Sequence, residues 1–176
     1  MISFKQYLIE SQNYPLYHGT SINKLTDIIN DNTIKIGYAD PGLHWPSKNG
    51  KIVSTTRSFS FAKYWASMRG FAEGGGVVIE LDRQKLKNNY KIVPFNYFGS
   101  WRADLDPKTR WTFGKSYIFD LDKNQFEEAI TKDIKPALNY IKKVYMSKAT
   151  ADILKKEDSS VYTILIDRNL ITHKNF

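Results

Sequence analysis

Cysteine is absent from this chain of 176 residues, and histidine occurs only three times. The lack of thiols excludes a disulfide framework, a zinc site built on thiolates and a cysteine nucleophile. The three imidazoles, His18, His44 and His173, form no cluster with aspartates. A metallohydrolase or a serine triad is therefore hard to assemble from this chain.

Long hydrophobic runs are missing as well. No apolar stretch approaches the roughly 20 residues that a membrane-spanning helix needs, and the N-terminus lacks the apolar segment of a signal peptide. We therefore expect a soluble protein that works in a reducing compartment and has no membrane partner.

The residues that are present favour one globular domain with an anionic partner. Hydrophobic residues make up 41% of the chain, enough to bury a core. The formal net charge of +8 favours nucleic acid or nucleotides as partners. Lysines concentrate in the C-terminal third, where they form either an anion-facing surface or, as charge runs more often do, a solvated face. These lysines are Lys132, Lys135, Lys142, Lys143, Lys148, Lys155 and Lys156.

The chain divides into a short leader and one domain. Residues 1–12 place apolar side chains at helical spacing before Asn13 and Pro15 break the pattern, so we assign the domain to 13–176. Two early helices are predicted, one capped by Ser21 and one by Ser58 or Ser60. Short strands are predicted at 16–20, 34–36, 51–56, 77–81, 91–94, 117–121, 126–131, 140–146, 161–167 and 170–172. This alternation indicates an α+β fold.

Two polar constellations follow the early strands. The first is Tyr17-His18-Gly19-Thr20, where a histidine ends a strand and a glycine lets the backbone approach a flat ligand. The second is Ser54-Thr55-Thr56-Arg57, which can bind ribose hydroxyls or a pyrophosphate near a helix N-terminus. A buried histidine in a turn and a plain helix cap explain the same residues without a ligand. The helix after the second carries Phe61, Tyr64, Trp65 and Met68 on one face.

A third constellation is the carboxylate pair of Gln125-Phe126-Glu127-Glu128 at the head of an apolar strand. Alternation along a strand sends Gln125 and Glu127 to one face and Glu128 to the other. One glutamate is thus expected to face a cleft and the other to face solvent.

The order of these pieces resembles the ADP-ribosyltransferase superfamily over roughly residues 14 to 147. The resemblance implies a split β-sandwich of two small sheets with NAD in the cleft between them. It implies that His18 binds the adenosine ribose, that the Gly19 backbone pairs with the nicotinamide carboxamide, and that Thr20 supports that turn. The cofactor-binding residues it implies in full are Tyr17, His18, Gly19, Thr20, Ser54, Thr55, Thr56, Arg57, Phe59, Phe61 and Tyr64.

The sequence combines motifs that resemble two different branches of the superfamily. His18 fits the His-Tyr-Glu pattern, whereas Ser54-Thr55-Thr56 fits the Arg-Ser-Glu pattern, with Arg57 reaching the pyrophosphate and Phe59 or Phe61 stacking near the nicotinamide. The catalytic set is His18 with Glu127 or Glu128, and Glu127 is favoured because Gln125-x-Glu127 fits the Gln-x-Glu motif. The resemblance implies NAD as the substrate. Since one carboxylate bonded to the ribose 2-hydroxyl suffices for an oxocarbenium-like state, no metal is required.

The leader carries a resemblance of its own. Residues 1–10 are similar to the capsid-targeting sequences of internal head proteins in large tailed phages, with Leu8-Ile9-Glu10 matching the site that the prohead protease cuts after Glu10. An ordinary amphipathic helix fits these residues equally well. The resemblance implies a phage protein that is packaged in the virion interior and then acts in the host cytoplasm.

Three functions are compatible with the sequence. The first is a mono-ADP-ribosyltransferase that modifies a host protein or nucleic acid. The second is a non-enzymatic basic virion protein that binds phage DNA inside the capsid, as the +8 charge allows. The third is an NAD-dependent RNA 2′-phosphotransferase, which ranks last because a set of basic core residues beyond His18 and Gly19 is not evident.

Overall fold

The computed structural model describes residues 14–38, 51–95 and 127–174. The leader over 1–12, the strand predicted at 117–121 and Gln125 lie outside these residues. The strands are β1 (Leu16–Ser21), β2 (Gly37–Tyr38), β3 (Lys51–Thr56), β4 (Gly76–Leu81), β5 (Ile92–Phe95), β6 (Glu127–Ile130), β7 (Ile141–Met146) and β8 (Ile171–His173). The α-helices are α1 (Ile22–Asn30), α2 (Phe59–Gly70), α3 (Arg83–Asn89), α4 (Lys148–Glu157) and α5 (Ser159–Asp167).

Seven of these strands lie side by side in the order β5-β6-β3-β1-β4-β7-β8, and β2 pairs with β3 outside that row. The pairs are antiparallel except for β7 with β8, which are parallel. The prediction of a chain that mixes helices and short strands is confirmed.

The pairing of β1 with β3 is the shortest in the row of seven strands. These two strands share a single register pair, Tyr17 with Thr56. In contrast, β1 pairs with β4 along its whole length, from Leu16 opposite Leu81 to Ser21 opposite Gly76. The strands β1 and β3 therefore diverge beyond one pair, and each is held by its other neighbour.

Helices cover both faces of the sheet, as the alternation along β4 requires. Val77 and Ile79 belong to the main core, which includes buried side chains of α1, α4 and α5. Val78 points to the other face, where it packs with Ala62 and Ala66 of α2. The early helices α1 and α2 thus lie in different layers.

Gly19 allows α2 to lie close to β1. A Cβ atom at this position would stand 2.2 Å from the carbonyl oxygen of Ala62 and 3.0 Å from the backbone nitrogen of Ala66. Both alanines are buried against the sheet. The glycine that the sequence offered as a ligand contact therefore has a packing role of its own.

The strand predicted at 161–167 is wrong, because these residues form α5. Asp158 caps the helix, with its Oδ1 accepting a hydrogen bond from the Val161 N–H at 3.1 Å. Val161 and Leu165, four residues apart, are both fully buried on one helix face. The β-branched residues favoured a strand, but the cap and the helical spacing prevail.

The structure differs from the sequence predictions at one further strand and at two helices. The strand predicted at 34–36 is wrong, since Ile34 makes only an isolated bridge with Ile134 and β2 begins at Gly37. Helices α3 and α4 were not predicted, although Asp82 and Ser147 cap them.

In the part of the chain described, no helix is long and apolar enough to cross a bilayer.

Candidate functional site

A cleft of about 660 Å³ lies where β1 and β3 diverge. It is lined by both strands, by α2, and by α1 with the residues that follow it. The site residues predicted from the sequence that line this cleft are Tyr17, His18, Gly19, Thr20, Ser54, Thr55, Thr56 and Phe61. The two polar constellations, far apart in the sequence, therefore share one site.

The side chain of His18 links β1 to β3 by a hydrogen bond. Its Nδ1 lies 2.8 Å from the carbonyl oxygen of Ser54. A carbonyl only accepts, so Nδ1 carries the proton in this hydrogen bond. In the neutral ring, Nε2 is then a hydrogen-bond acceptor.

The surroundings keep the His18 ring neutral. Burial lowers the pKa of His18 from 6.5 to about 4, and the positive charge of Arg69 adds to that effect, while the hydrogen bond to Ser54 opposes it. At neutral pH the side chain is thus an uncharged acceptor that a ligand hydroxyl can donate to.

The hydroxyls of β3 are used partly by the fold. Thr55 Oγ1 donates to the carbonyl oxygen of Glu128 at 2.7 Å, which fixes β3 to β6. Thr56 Oγ1 accepts from the Ser58 N–H at 3.0 Å and stabilises the turn into α2. Ser54 is half-buried and lines the cleft. Ser58 rather than Thr56 caps α2, and Ser54 is the hydroxyl of β3 most available to a ligand.

Glu128 is buried, so the expectation that it faces solvent is wrong. Its side chain is 3% exposed and accepts from two guanidinium groups. Arg57 donates through Nε at 2.8 Å and also through Nη2, and Arg83 donates through Nε at 3.1 Å and Nη2 at 3.0 Å. The side chain of Arg57 is 8% exposed and that of Arg83 is 11% exposed. Arg83 was missed by the sequence analysis because no spacing rule connects it to Glu128.

This ion-pair cluster lies outside the cleft. Neither Arg57 nor Glu128 is among the described residues that line it. The register pairs Glu128 with Thr55 and Glu127 with Thr56. The backbone of Glu127 is therefore next to a cleft-lining residue, while its side chain falls outside the described part of the structure.

The aromatic face of α2 does not pack into the core. Phe61 and Trp65 line the cleft, whereas Tyr64 and Met68 are 51% and 61% exposed. Small residues make the helix contact instead, as the burial of Ala62, Ala66 and Gly70 shows. Phe59 and Tyr64 are not among the described residues lining the cleft, and Phe59 packs against Tyr17 and Tyr145.

The charged residues of the cleft were not predicted from the sequence, and two of them, Arg69 and Glu73, lie on or just after α2. Arg69 donates from Nη1 to the carbonyl oxygen of Gly19 at 3.0 Å. Glu73 lines the same cleft, and its Oε2 is buried without a hydrogen-bond donor among the described residues. A buried carboxylate oxygen normally has a partner, so Glu73 is a candidate ligand contact.

The seven lysines of the C-terminal third are all exposed. Among residues 14–38, 51–95 and 127–174, no group of three or more histidine or acidic side chains is arranged to hold a metal ion. Comparisons with protein-family models and with curated protein sequences found no match to this chain.

Proposed function

We propose that this protein is an NAD-dependent mono-ADP-ribosyltransferase. One observation carries the proposal: the cleft brings His18 on β1 into contact with Ser54 on β3. The family resemblance assigns these two strands to NAD. The strand that carries Glu127, β6, is the direct neighbour of β3.

The cleft suits a ligand of this kind. Its volume of about 660 Å³ lies within the range of about 300–1,000 Å³ that small-molecule sites occupy. Phe61 and Trp65 supply aromatic surface for a planar ring, and His18 supplies a neutral acceptor for a ribose hydroxyl. Aromatic surface beside placed polar groups is common to small-molecule and cofactor sites.

Glu127 is the residue that we assign to catalysis. The two guanidinium groups on Glu128 engage its carboxylate, which argues against a role for it on a ligand. The register pairs Glu127 with Thr56 and Glu128 with Thr55, and both threonines line the cleft, so the preference for Glu127 rests on the ion pairs of Glu128. A carboxylate that accepts a hydrogen bond from the ribose 2-hydroxyl stabilises positive charge as the bond to nicotinamide breaks.

The reaction needs no further reagent. The bond between the ribose anomeric carbon and the nicotinamide nitrogen breaks, and neutral nicotinamide leaves with the bonding electrons. An acceptor nucleophile adds to the anomeric carbon and loses one proton. Because the leader resembles a phage capsid-targeting sequence, we propose that the acceptor is a host macromolecule met after injection.

The test is transfer from NAD labelled in its adenosine half, with nicotinamide release measured in parallel in bacterial lysate. The wild type should release nicotinamide and label a macromolecule, and Glu127→Gln should lower both by roughly 100-fold or more. Glu157→Gln, on the exposed end of α4, is the matched control and should behave as wild type. Folded protein that neither transfers nor releases nicotinamide contradicts the proposal. DNA binding that weakens steeply with salt would then favour the basic virion protein.

A further inference from the structure

Three aromatic side chains and one carboxylate form a cluster beside the cleft, and of the four only Tyr17 is among the described residues that line the cleft. The ring of Phe59 lies edge-on to Tyr17 and to Tyr145, with centroids 5.4 Å and 5.0 Å apart. Tyr145 donates its hydroxyl to Glu80 Oε2 at 2.5 Å. We call these four residues, Tyr17, Phe59, Glu80 and Tyr145, the aromatic cage. Each of them is half-buried, so the cage is open to solvent on one side.

The structure places an ammonium group in this cage. Lys174 Nζ lies 4.1 Å from the ring centroid of Phe59 and 4.7 Å from that of Tyr145. Distances below about 6 Å define a cation–π contact, and two rings here share one cation. The rings of Phe59 and Tyr145 therefore both contact one primary ammonium group.

The charge of the cage also favours a cation. Glu80 supplies the carboxylate, and in the register it stands opposite Tyr17. Burial, with Glu80 as a further cause, raises the pKa of both Tyr17 and Tyr145, so the two phenols stay neutral. The cage thus combines ring faces with one negative charge.

Lys174 is an exchangeable occupant. It follows β8 and is exposed, and its backbone N–H donates to the carbonyl oxygen of Met146 at 3.0 Å. That backbone bond holds the chain without requiring the side chain to stay in place. Because an exposed cation–π contact is weak, a second cation in solution can displace the lysine.

The cage is next to the cleft. Tyr17 lines the cleft and also forms one side of the cage, so a group held in the cage lies beside the NAD site of the proposed function. A nucleic acid acceptor offers anionic phosphates to such a site, whereas a protein offers lysine and arginine.

We propose that the aromatic cage recognises a lysine or arginine side chain of a protein acceptor, and that Lys174 occupies the cage until the acceptor displaces it. The chemical nature of the ligand follows from the cage itself. The role of the ligand as acceptor rests on the proposed transferase function.

The test measures how tightly the protein binds a short glycine peptide with one central lysine in the absence of NAD. Binding is read from the NMR shifts of the protein's aromatic protons. Lys174→Ala should bind this peptide about two- to fivefold more tightly than wild type, since the internal competitor is gone. Lys156→Ala, which removes another exposed lysine, is the matched control and should match wild type. Adding Glu80→Gln to Lys174→Ala should reverse the gain.

Two further arms complete the test. The same peptide with norleucine in place of lysine should bind neither protein, and Lys174→Gln should reproduce the gain of Lys174→Ala. Equal binding by wild type and both Lys174 variants, or equal binding of the norleucine peptide, overturns the proposal. Peptide binding in a protein that does not cleave NAD would refute the transferase function alone, whereas NAD cleavage without peptide binding would refute the cage alone.

Discussion

The guanidinium of Arg57 and the carboxylate of Glu128 form a buried ion pair that joins the end of β3 to β6. The sequence suggested that Arg57 reaches a pyrophosphate and that Glu128 faces solvent or performs catalysis. In the structure the two side chains bond to each other, and neither is among the described residues that line the cleft. Their pairing fixes β6 to β3, and the β3 residues Ser54, Thr55 and Thr56 line the cleft.

Glu128→Gln should therefore be strongly destabilising. Removing the carboxylate leaves Arg57 and Arg83 buried without their shared anion, and breaking such a pair costs about 3–5 kcal/mol. Denaturant unfolding should give this loss for Glu128→Gln and a change within about 0.5 kcal/mol for the exposed Glu157→Gln. Equal stability of the two variants would show that the cluster does not hold β3 to β6.

Gly19→Ala should disturb the packing of α2 on β1. The new Cβ would meet the Ala62 carbonyl at 2.2 Å, and neither backbone can move away cheaply. Gly37→Ala is the matched control, because no atom of the described residues lies within 4 Å of a Cβ at Gly37. Thermal unfolding should show a lower Tm for Gly19→Ala only, and an unchanged Tm would mean that the close approach of α2 is not required.

His18 should make the free energy of unfolding depend on pH in the acid range. Its pKa is about 4 in the folded protein and 6.5 in the reference state, so the unfolded chain binds its proton first as pH falls. The stability that depends on His18 is complete above pH 6.5 and decreases towards pH 4, by about 1.4 kcal/mol per pH unit.

Unfolding of wild type and of His18→Asn at several pH values checks this slope. Wild type should lose stability relative to the variant between pH 6.5 and pH 4. A constant difference, or an imidazole that titrates near 6.5 in NMR, would mean that the ring is not buried beside Ser54.

Glu73→Gln should separate binding from stability. Since Oε2 of Glu73 is buried and receives no hydrogen bond from the described residues, loss of its charge should not lower the Tm. If a hydroxyl of NAD donates to that oxygen, the affinity for NAD should fall about 10-fold or more. Titration calorimetry of NAD, with Glu157→Gln as control, measures this effect. An unchanged affinity would remove Glu73 from the ligand site.

The strand and helix patterns predicted the part of the fold that holds the cleft. Hydroxyl caps and hydrophobic spacing are local signals, so the start of α1 at Ser21 was predicted, and Ser58 is the one of the two predicted caps, Ser58 and Ser60, that begins α2. The hydrogen bond between His18 and Ser54 was not predicted, because it joins two strands that no local pattern pairs.

Other features depend on contacts that a sequence pattern does not contain. Helix α2 buries its small residues and turns Tyr64 and Met68 outward. It does so because Gly19, far from Ala62 in the sequence but next to it in the fold, leaves room for the Ala62 backbone. Alternation alone sent Glu128 to solvent, but the two arginines that bury it come from other elements.

NAD binding in the cleft is tested most directly by titrating the isotope-labelled protein with NAD and recording the backbone amide signals by NMR. Saturable shifts are expected for His18, Gly19, Ser54 and Thr55 on the two sides of the cleft, and no shifts for α5 or for the lysines of α4. Amide signals that stay unchanged at millimolar NAD, or that shift only around the lysines of α4, would contradict NAD binding in the cleft.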